Sequence, residues 1–276
     1  MINLISIIQI ILPLQMSEMF KRVIVGIAGI PVLVFIFLKG GIFFLSFAVI
    51  VSSLALWELF TMSEKKFYHP LKITAVFLSS AALLTFYFAE TDLMYILFAI
   101  LIIIISAEVL RSKNRNPLNP VIVIFGIIYI TFPFALLCKI NNYSEMNIVI
   151  YLFILIWTCD TGAYLGGKLL GRNMLSSISP KKTIEGSAAG FILTVAVSLV
   201  IHYMFPDKLN FQDAVVTGIF TGIFSQFGDL FESLIKRYFE VKDSSDIIPG
   251  HGGVLDRFDS IIFIAPVIFI YFRYLR

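Results

Sequence analysis

Leu93-Met94-Tyr95-Ile96-Leu97-Phe98-Ala99-Ile100-Leu101-Ile102-Ile103-Ile104-Ile105-Ser106-Ala107-Glu108-Val109 is apolar almost throughout, and the apolar character is continuous rather than alternating. A half-buried strand alternates with a period of two, whereas an unbroken apolar run approaching about 20 residues reads as a helix that crosses a membrane. Eight further runs of this kind lie at Val23–Leu38, Ile42–Phe60, Ile73–Ala89, Pro120–Leu137, Ile148–Leu165, Ile184–Phe205, Ala214–Ile235 and Ser260–Tyr271. The last is short and can begin inside the charged segment before it. Composition agrees: 59% of residues are hydrophobic and 14% charged, where a soluble domain carries about 25% charged residues. In lipid only helices and closed barrels satisfy their backbone groups, and continuous runs select helices. The sequence predicts an all-α, polytopic integral membrane protein of about nine transmembrane helices, in one domain over residues 1–276.

Basic residues orient it. With the Lys21-Arg22 end in the cytoplasm and the sides alternating, sixteen of the 21 Lys and Arg residues fall inside and five outside. Positive residues accumulate on the cytoplasmic side, so the N-terminus is expected inside. Residues 1–18 read either as an interfacial segment or as sequence ahead of the true start at Met16 or Met19, since Met1–Gln15 has no basic start and no cleavage site. A net charge of +3 gives nucleic-acid binding no support. Cys138 and Cys159 lie in apolar runs without metal-type spacing and read as buried thiols.

Charge concentrates in three places. From Ser233 to Asp259 the chain sets Lys236, Arg237, Lys242, Asp243, Asp246, His251, Asp256, Arg257 and Asp259 around the turn Pro249-Gly250-His251-Gly252-Gly253. Glycines there can take φ > 0 and present successive N–H groups to an anion, and carboxylates with phosphate oxygens make a Mg²⁺ shell. His251 reads as a phosphate contact, because no second His or Cys is near it. The segment Asp160–Gly186 reads as a second cytoplasmic loop, with Gly162, Gly166, Gly167 and Gly171, then Ser179-Pro180-Lys181-Lys182-Thr183, then Glu185. Paired lysines beside hydroxyls, ahead of a helix N-terminus, suit a polyphosphate; the plainer reading is a basic loop on anionic lipid. Third, Ser225, Asp229, Glu232, Ser233 and Lys236 recur at helical spacing and share one face. A carboxylate in a spanning helix costs about 2.5–3.5 kcal/mol, so it faces a cavity, a partner or an ion. A salt bridge to another helix is the plainer account of Asp229 and Glu232. Asp160 reads equally as a site residue or a packing anchor. Glu58 and Glu108, near helix ends, read as snorkelling or paired.

The run Ser233-x-Ile235-Lys236-Arg237-x₄-Lys242-Asp243-x-Ser245-x₂-Ile248-Pro249-x-His251-Gly252-Gly253-Val254-x-Asp256-Arg257-Phe258-Asp259 resembles the signature of the phosphatidate cytidylyltransferases, or CDP-diglyceride synthases. Asp160-x₂-Ala163-Tyr164 and Ser179-Pro180-Lys181-Lys182-Thr183-x-Glu185-Gly186 resemble that family too. The resemblance implies cytidylyl transfer from CTP to phosphatidic acid, an inner (plasma) membrane location, a homodimer, and Mg²⁺ with a monovalent cation such as K⁺ as a second ion. It places the metal on Asp229 and Asp256, with Asp160 and Asp259 as further candidates, and the catalytic machinery in about 148–276. Asp229, Asp256, Lys182, Arg257 and His251 are then the catalytic candidates. Ser179, Lys181, Lys182, Thr183, Lys236, Arg237, Lys242, Gly252 and Gly253 are the substrate-binding candidates.

Two other classes compete. A transporter explains Asp160, Asp229 and Glu232 as pathway residues, but not the clustering of charge in two segments with glycine turns. A related CTP-dependent membrane enzyme acting on another lipid or a polyprenol shares most features.

Overall fold

The computed structural model describes residues 18–89, 92–248 and 252–276. The readings made for residues 1–17, and for Pro249, Gly250 and His251, lie outside the described residues. The rest is helical: α1 (Glu18–Lys39), α2 (Gly41–Ser63), α3 (Lys72–Phe88), α4 (Leu93–Leu110), α5 (Leu118–Ile140), α6 (Ile148–Leu170), α7 (Ile184–Met204), α8 (Phe211–Tyr238) and α9 (Leu255–Leu275). Six of them, α2 (as far as Lys66) and α5 to α9, are long and apolar enough to cross a membrane. Three apolar stretches are shorter, at Gly29–Lys39, Lys72–Phe88 and Met94–Leu110. Each predicted run falls on a helix, and the last does begin inside the charged segment, at Leu255.

Local chemistry starts these helices. Asn147, Thr183 and Asn210 precede α6, α7 and α8, and their side chains accept from the N–H groups of Ile150 (3.1 Å), Gly186 (3.1 Å) and Asp213 (2.7 Å). Each satisfies one of the donors a helix start leaves unpaired. In α5 the helix widens into one π turn over Ile127–Thr131 before Pro133. Proline has no N–H and its ring clashes with the carbonyl four residues back, here that of Tyr129, which the wider turn relieves.

Exposure of α4 fits a lipid environment. Met94, Tyr95, Phe98, Ile102, Ile105 and Val109 are all exposed and follow helical spacing, a stripe too apolar to face water. Packing is tightest in the C-terminal half, where α6 lies on α7 and α8 lies on both α7 and α9. The α6–α7 seam is made of glycine. A Cβ on Gly186 would stand 2.6 Å from the Ala163 carbonyl oxygen, one on Gly190 2.6 Å from that of Cys159, and one on Gly166 would collide with Ala189. Gly162/Gly166 and Gly186/Gly190 are each four apart, the small-residue spacing that lets helix backbones touch.

That seam corrects the reading of Asp160–Gly186 as one loop. Residues 160–170 belong to α6, and the loop is 171–183. Gly162 and Gly166 serve helix contact. Cys159 is buried as expected, whereas Cys138 is half-buried.

The two halves of the chain are joined by α9. Its Phe258 ring packs edge-on to Phe47 (5.8 Å), Phe134 (5.8 Å) and Phe153 (6.2 Å), contacts worth about 0.5–1.5 kcal/mol each beyond area burial. Phe258 thus anchors in the core the helix whose first turn carries Asp256 and Arg257.

Candidate active site

A cavity of about 460 Å³ opens between α6, the loop before α7, and α8; Asp160, Ser179, Lys181, Lys182, Thr183 and Asp229 are among its lining residues. Asp160 comes from α6 and Asp229 from α8. The lysines come from a loop tied down at both ends. Thr183 spends its side chain capping α7. Glu185, in the first turn of α7, accepts from the Arg172 N–H (3.1 Å), the Asn173 N–H (3.2 Å) and the Asn173 side-chain amide (2.7 Å). Lys182 N–H closes a turn on the Ser179 carbonyl at 3.0 Å, and the Leu175 N–H reaches back to the Lys182 carbonyl at 2.8 Å. The Lys182 ammonium therefore arrives at a fixed place, where it pairs with the Asp229 carboxylate. Ser233, one turn further along α8, lies 3.4 Å from the other Asp229 oxygen.

Asp259, one turn into α9, accepts from the Ser260 N–H at 2.7 Å and stands near enough to Asp229 and Asp160 for their charges to be felt. Asp259 also acts on Glu232, which leads to a second cluster. There Lys236 sits 2.5 Å from Glu232 and 2.6 Å from Asp256. Glu232 is fully buried. Asp256 accepts from the Gly253 N–H (2.8 Å), the Ser244 N–H (3.0 Å) and the Ser244 hydroxyl (3.0 Å). The N–H of Gly253, read from sequence as a donor for substrate phosphate, thus points at the chain's own carboxylate. Gly252 has φ +80°, and a Cβ there would stand 2.7 Å from Asp256. Both glycines let the backbone wrap this carboxylate.

The shared face of α8 predicted from spacing is present, but its members divide: Asp229 and Ser233 face the first cluster, Glu232 and Lys236 the second. Arg237 is exposed and donates to the Val241 carbonyl at 3.1 Å, and Lys242 is exposed on the following loop. Glu108 is paired as expected, 3.3 Å from Arg111 and accepting from Asn116 and Asn119. Glu58 does not snorkel: it is 1% exposed and accepts four hydrogen bonds, from Ser244, Ser245, Val254 and Leu255. Its signal in the sequence was a lone carboxylate in an apolar helix, which burial penalises unless donors meet it. Gln226, also missed, lines the cavity and donates to the carbonyls of Gly222 (2.7 Å) and Ser187 (3.2 Å).

The arrangement suits anions of high charge: two lysines of a braced loop at a cavity, beside acceptor-only carboxylates from within apolar helices. The chain matches the cytidylyltransferase family over residues 20–275. A phosphatidate cytidylyltransferase of Staphylococcus aureus (strain COL) is 36% identical over 251 residues, covering 90% of this chain and 96% of the relative. That of Bacillus subtilis (strain 168) is 32% identical over 267 residues, covering 93% and 98%. A Staphylococcus epidermidis (strain ATCC 12228 / FDA PCI 1200) phosphatidate cytidylyltransferase is 34% identical over 255 residues. The chain belongs to the cytidylyltransferase family, as its charged motifs led one to expect.

Proposed function

We propose that the protein transfers the cytidylyl group of CTP to phosphatidic acid, releasing pyrophosphate and forming CDP-diacylglycerol for phospholipid synthesis. The observation that carries this reading is the cavity that Lys181 and Lys182 line together with Asp160 and Asp229, the two carboxylates coming from within the apolar helices α6 and α8. The names of the relatives point the same way.

The lipid brings its own nucleophile. A phosphate monoester has a second pKa of about 6, so at neutral pH an ionised oxygen is ready to attack the α-phosphorus of CTP as the bond to pyrophosphate breaks. No Ser-His-Asp triad or strong base is required. The obstacle is bringing two polyanions together, and fixed cations remove it. Lys181 and Lys182 take the nucleotide phosphates, Lys182 exchanging Asp229 for a phosphate oxygen. Arg257, exposed at the start of α9, screens the charge growing on pyrophosphate.

The donor set fits Mg²⁺. Asp160, Asp229 and Asp259 offer hard oxygens in one charge cluster, and among the described residues no three acidic, His or Cys side chains close on a common point. Mg²⁺ does not require a pre-built cage, since it takes one or two carboxylates and completes its shell with phosphate oxygens and water. Asp229 would hold it at the cavity; Asp256, the second residue the signature assigns, would first have to exchange its contacts with Lys236, Ser244 and Gly253, and K⁺ is the second ion that the same signature implies. When bound, the ion neutralises charge on the transferring phosphoryl group and the leaving pyrophosphate.

The further features of this reading are nine spans, an N-terminus in the cytoplasm, a cavity opening to the cytoplasm so that CTP enters from water, and a homodimer. The supporting observations for topology are the three shorter apolar helices and the uneven distribution of basic residues.

The test is turnover of radiolabelled CTP by detergent-purified protein with phosphatidic acid and Mg²⁺, beside Asp229→Asn. A CDP-lipid formed by the wild type and lost in the variant is expected. Well-folded wild type that makes no product from phosphatidic acid, but does from a polyprenyl or other lipid acceptor, would overturn the acceptor assignment.

A further inference from the structure

Glu58 lies near the C-terminal end of α2, outside every charged motif, and is 1% exposed. Its Oε1 accepts from the Ser245 hydroxyl at 2.6 Å and the Val254 N–H at 2.8 Å. Its Oε2 accepts from the Ser244 hydroxyl at 2.8 Å and the Leu255 N–H at 2.8 Å. Two donors on each oxygen fill the lone-pair sites of a carboxylate. The donors come from the two ends of one segment: Ser244 and Ser245 open it, Val254 and Leu255 close it. The last two N–H groups are those of the α9 start, where a negative group is favoured by the helix dipole.

The same serine is gripped twice. Ser244 places its hydroxyl 3.0 Å from Asp256 Oδ2 and its N–H 3.0 Å from that oxygen. Glu58 and Asp256 thus share Ser244 between them, and Asp256 carries the contact on to Lys236. Nothing slack remains at the junction: a Cβ on Gly253 would collide with Ser244 Oγ and stand 2.5 Å from Glu58 Oε2. Stability alone does not call for this device, since a buried charged group is often no better than an apolar side chain of its size.

We infer that Glu58 is a positioning residue for cytidylyl transfer: it clamps both ends of the 244–255 segment and so fixes where Asp256 and the start of α9 stand. This rests on the function proposed above. Glu58 acts through Ser244 and Asp256 and touches no substrate.

The test uses full-length Glu58→Gln, Glu58→Asp and Ser245→Ala in detergent. Two readouts are taken: kcat with KM for CTP, and backbone hydrogen exchange without substrate. A glutamine keeps the shape but turns an N–H₂ toward donors. Glu58→Gln is expected to speed exchange in 244–255 while the α6–α7 pair is unchanged. Its kcat should fall about tenfold or more with KM for CTP within about threefold, because the lysine cavity is untouched. Glu58→Asp, which restores the acceptor one methylene short, should recover part of kcat. Wild-type kcat in Glu58→Gln overturns the inference, and so does a loss that tracks folded fraction with Glu58→Asp no better than Glu58→Gln. If Glu58→Gln does not fold, Ser245→Ala decides: it removes one donor of four, and an unchanged kcat and exchange pattern overturns the inference. A wild type that rejects phosphatidic acid but accepts another lipid refutes the acceptor alone, and the Glu58 comparison is then read on that lipid.

Discussion

Lys182 and Asp229, 47 residues apart in the chain, meet as an ion pair in the wall of the cavity. The lysine comes from a braced loop and the aspartate from the middle of α8, so neither can follow the other if one is drawn to a ligand.

Replacing that lysine separates the substrates. Lys182→Met leaves the loop's backbone ties intact and removes one charge-assisted contact of about 1.5–3 kcal/mol, so KM for CTP should rise about 10- to 100-fold. KM for phosphatidic acid should change far less. Steady-state kinetics with each substrate varied in turn checks this, and the reverse pattern would reassign the loop to the lipid.

Asp229→Asn and Asp256→Asn should both abolish turnover but differ in stability. Asp229 is one-third exposed to the cavity, and its loss should leave the melting temperature in detergent nearly unchanged. Asp256 is almost buried and receives Lys236, Ser244 and Gly253, so its amide should cost about 1–3 kcal/mol, the penalty of leaving buried donors poorly met. Equal melting temperatures would contradict this division of roles.

Glycines at close contacts should be intolerant, and glycines in open space should not. Gly190→Ala drives a methyl toward the Cys159 carbonyl, and Gly253→Ala drives one into Ser244; each should destabilise by about 1–3 kcal/mol, as overpacking does. Gly29→Ala, with nothing within 4 Å, should be neutral or stabilising by about 0.5–1 kcal/mol through helix propensity. Thermal unfolding of the three variants reads the contrast.

Topology is read by labelling. Ser177→Cys, exposed on the 171–183 loop, should react with a membrane-impermeant maleimide from the cytoplasmic side alone, in a background with Cys138 and Cys159 replaced. Labelling from outside would invert the orientation.

The helical class and the placement of each apolar run were legible because lipid leaves a simple signal: long, unbroken hydrophobicity. The convergence of Lys182 with Asp229 was anticipated in kind, since a carboxylate inside an apolar helix must meet a cation, an ion or a cavity. The close contacts of Gly162, Gly166, Gly186 and Gly190 were not legible because a glycine signals permissiveness without saying for what; only the neighbouring helix shows that close approach is the reason. Glu58 was missed because its partners lie 186 to 197 residues away, and four donors from a distant turn leave no local pattern. The division of the α8 face between two clusters likewise depends on which helix stands opposite each side chain.

The glycine seam between α6 and α7 has a mechanical consequence. With backbone against backbone at Gly186 and Gly190 few side-chain rotamers in the seam are free to adjust, and the two helices are held together as one jaw. Asp160 and the base of the lysine loop ride on that jaw. Whatever widens the cavity to admit a nucleotide and a lipid headgroup therefore comes from its other walls, the 171–183 loop and the α8 side chains, and not from parting α6 and α7.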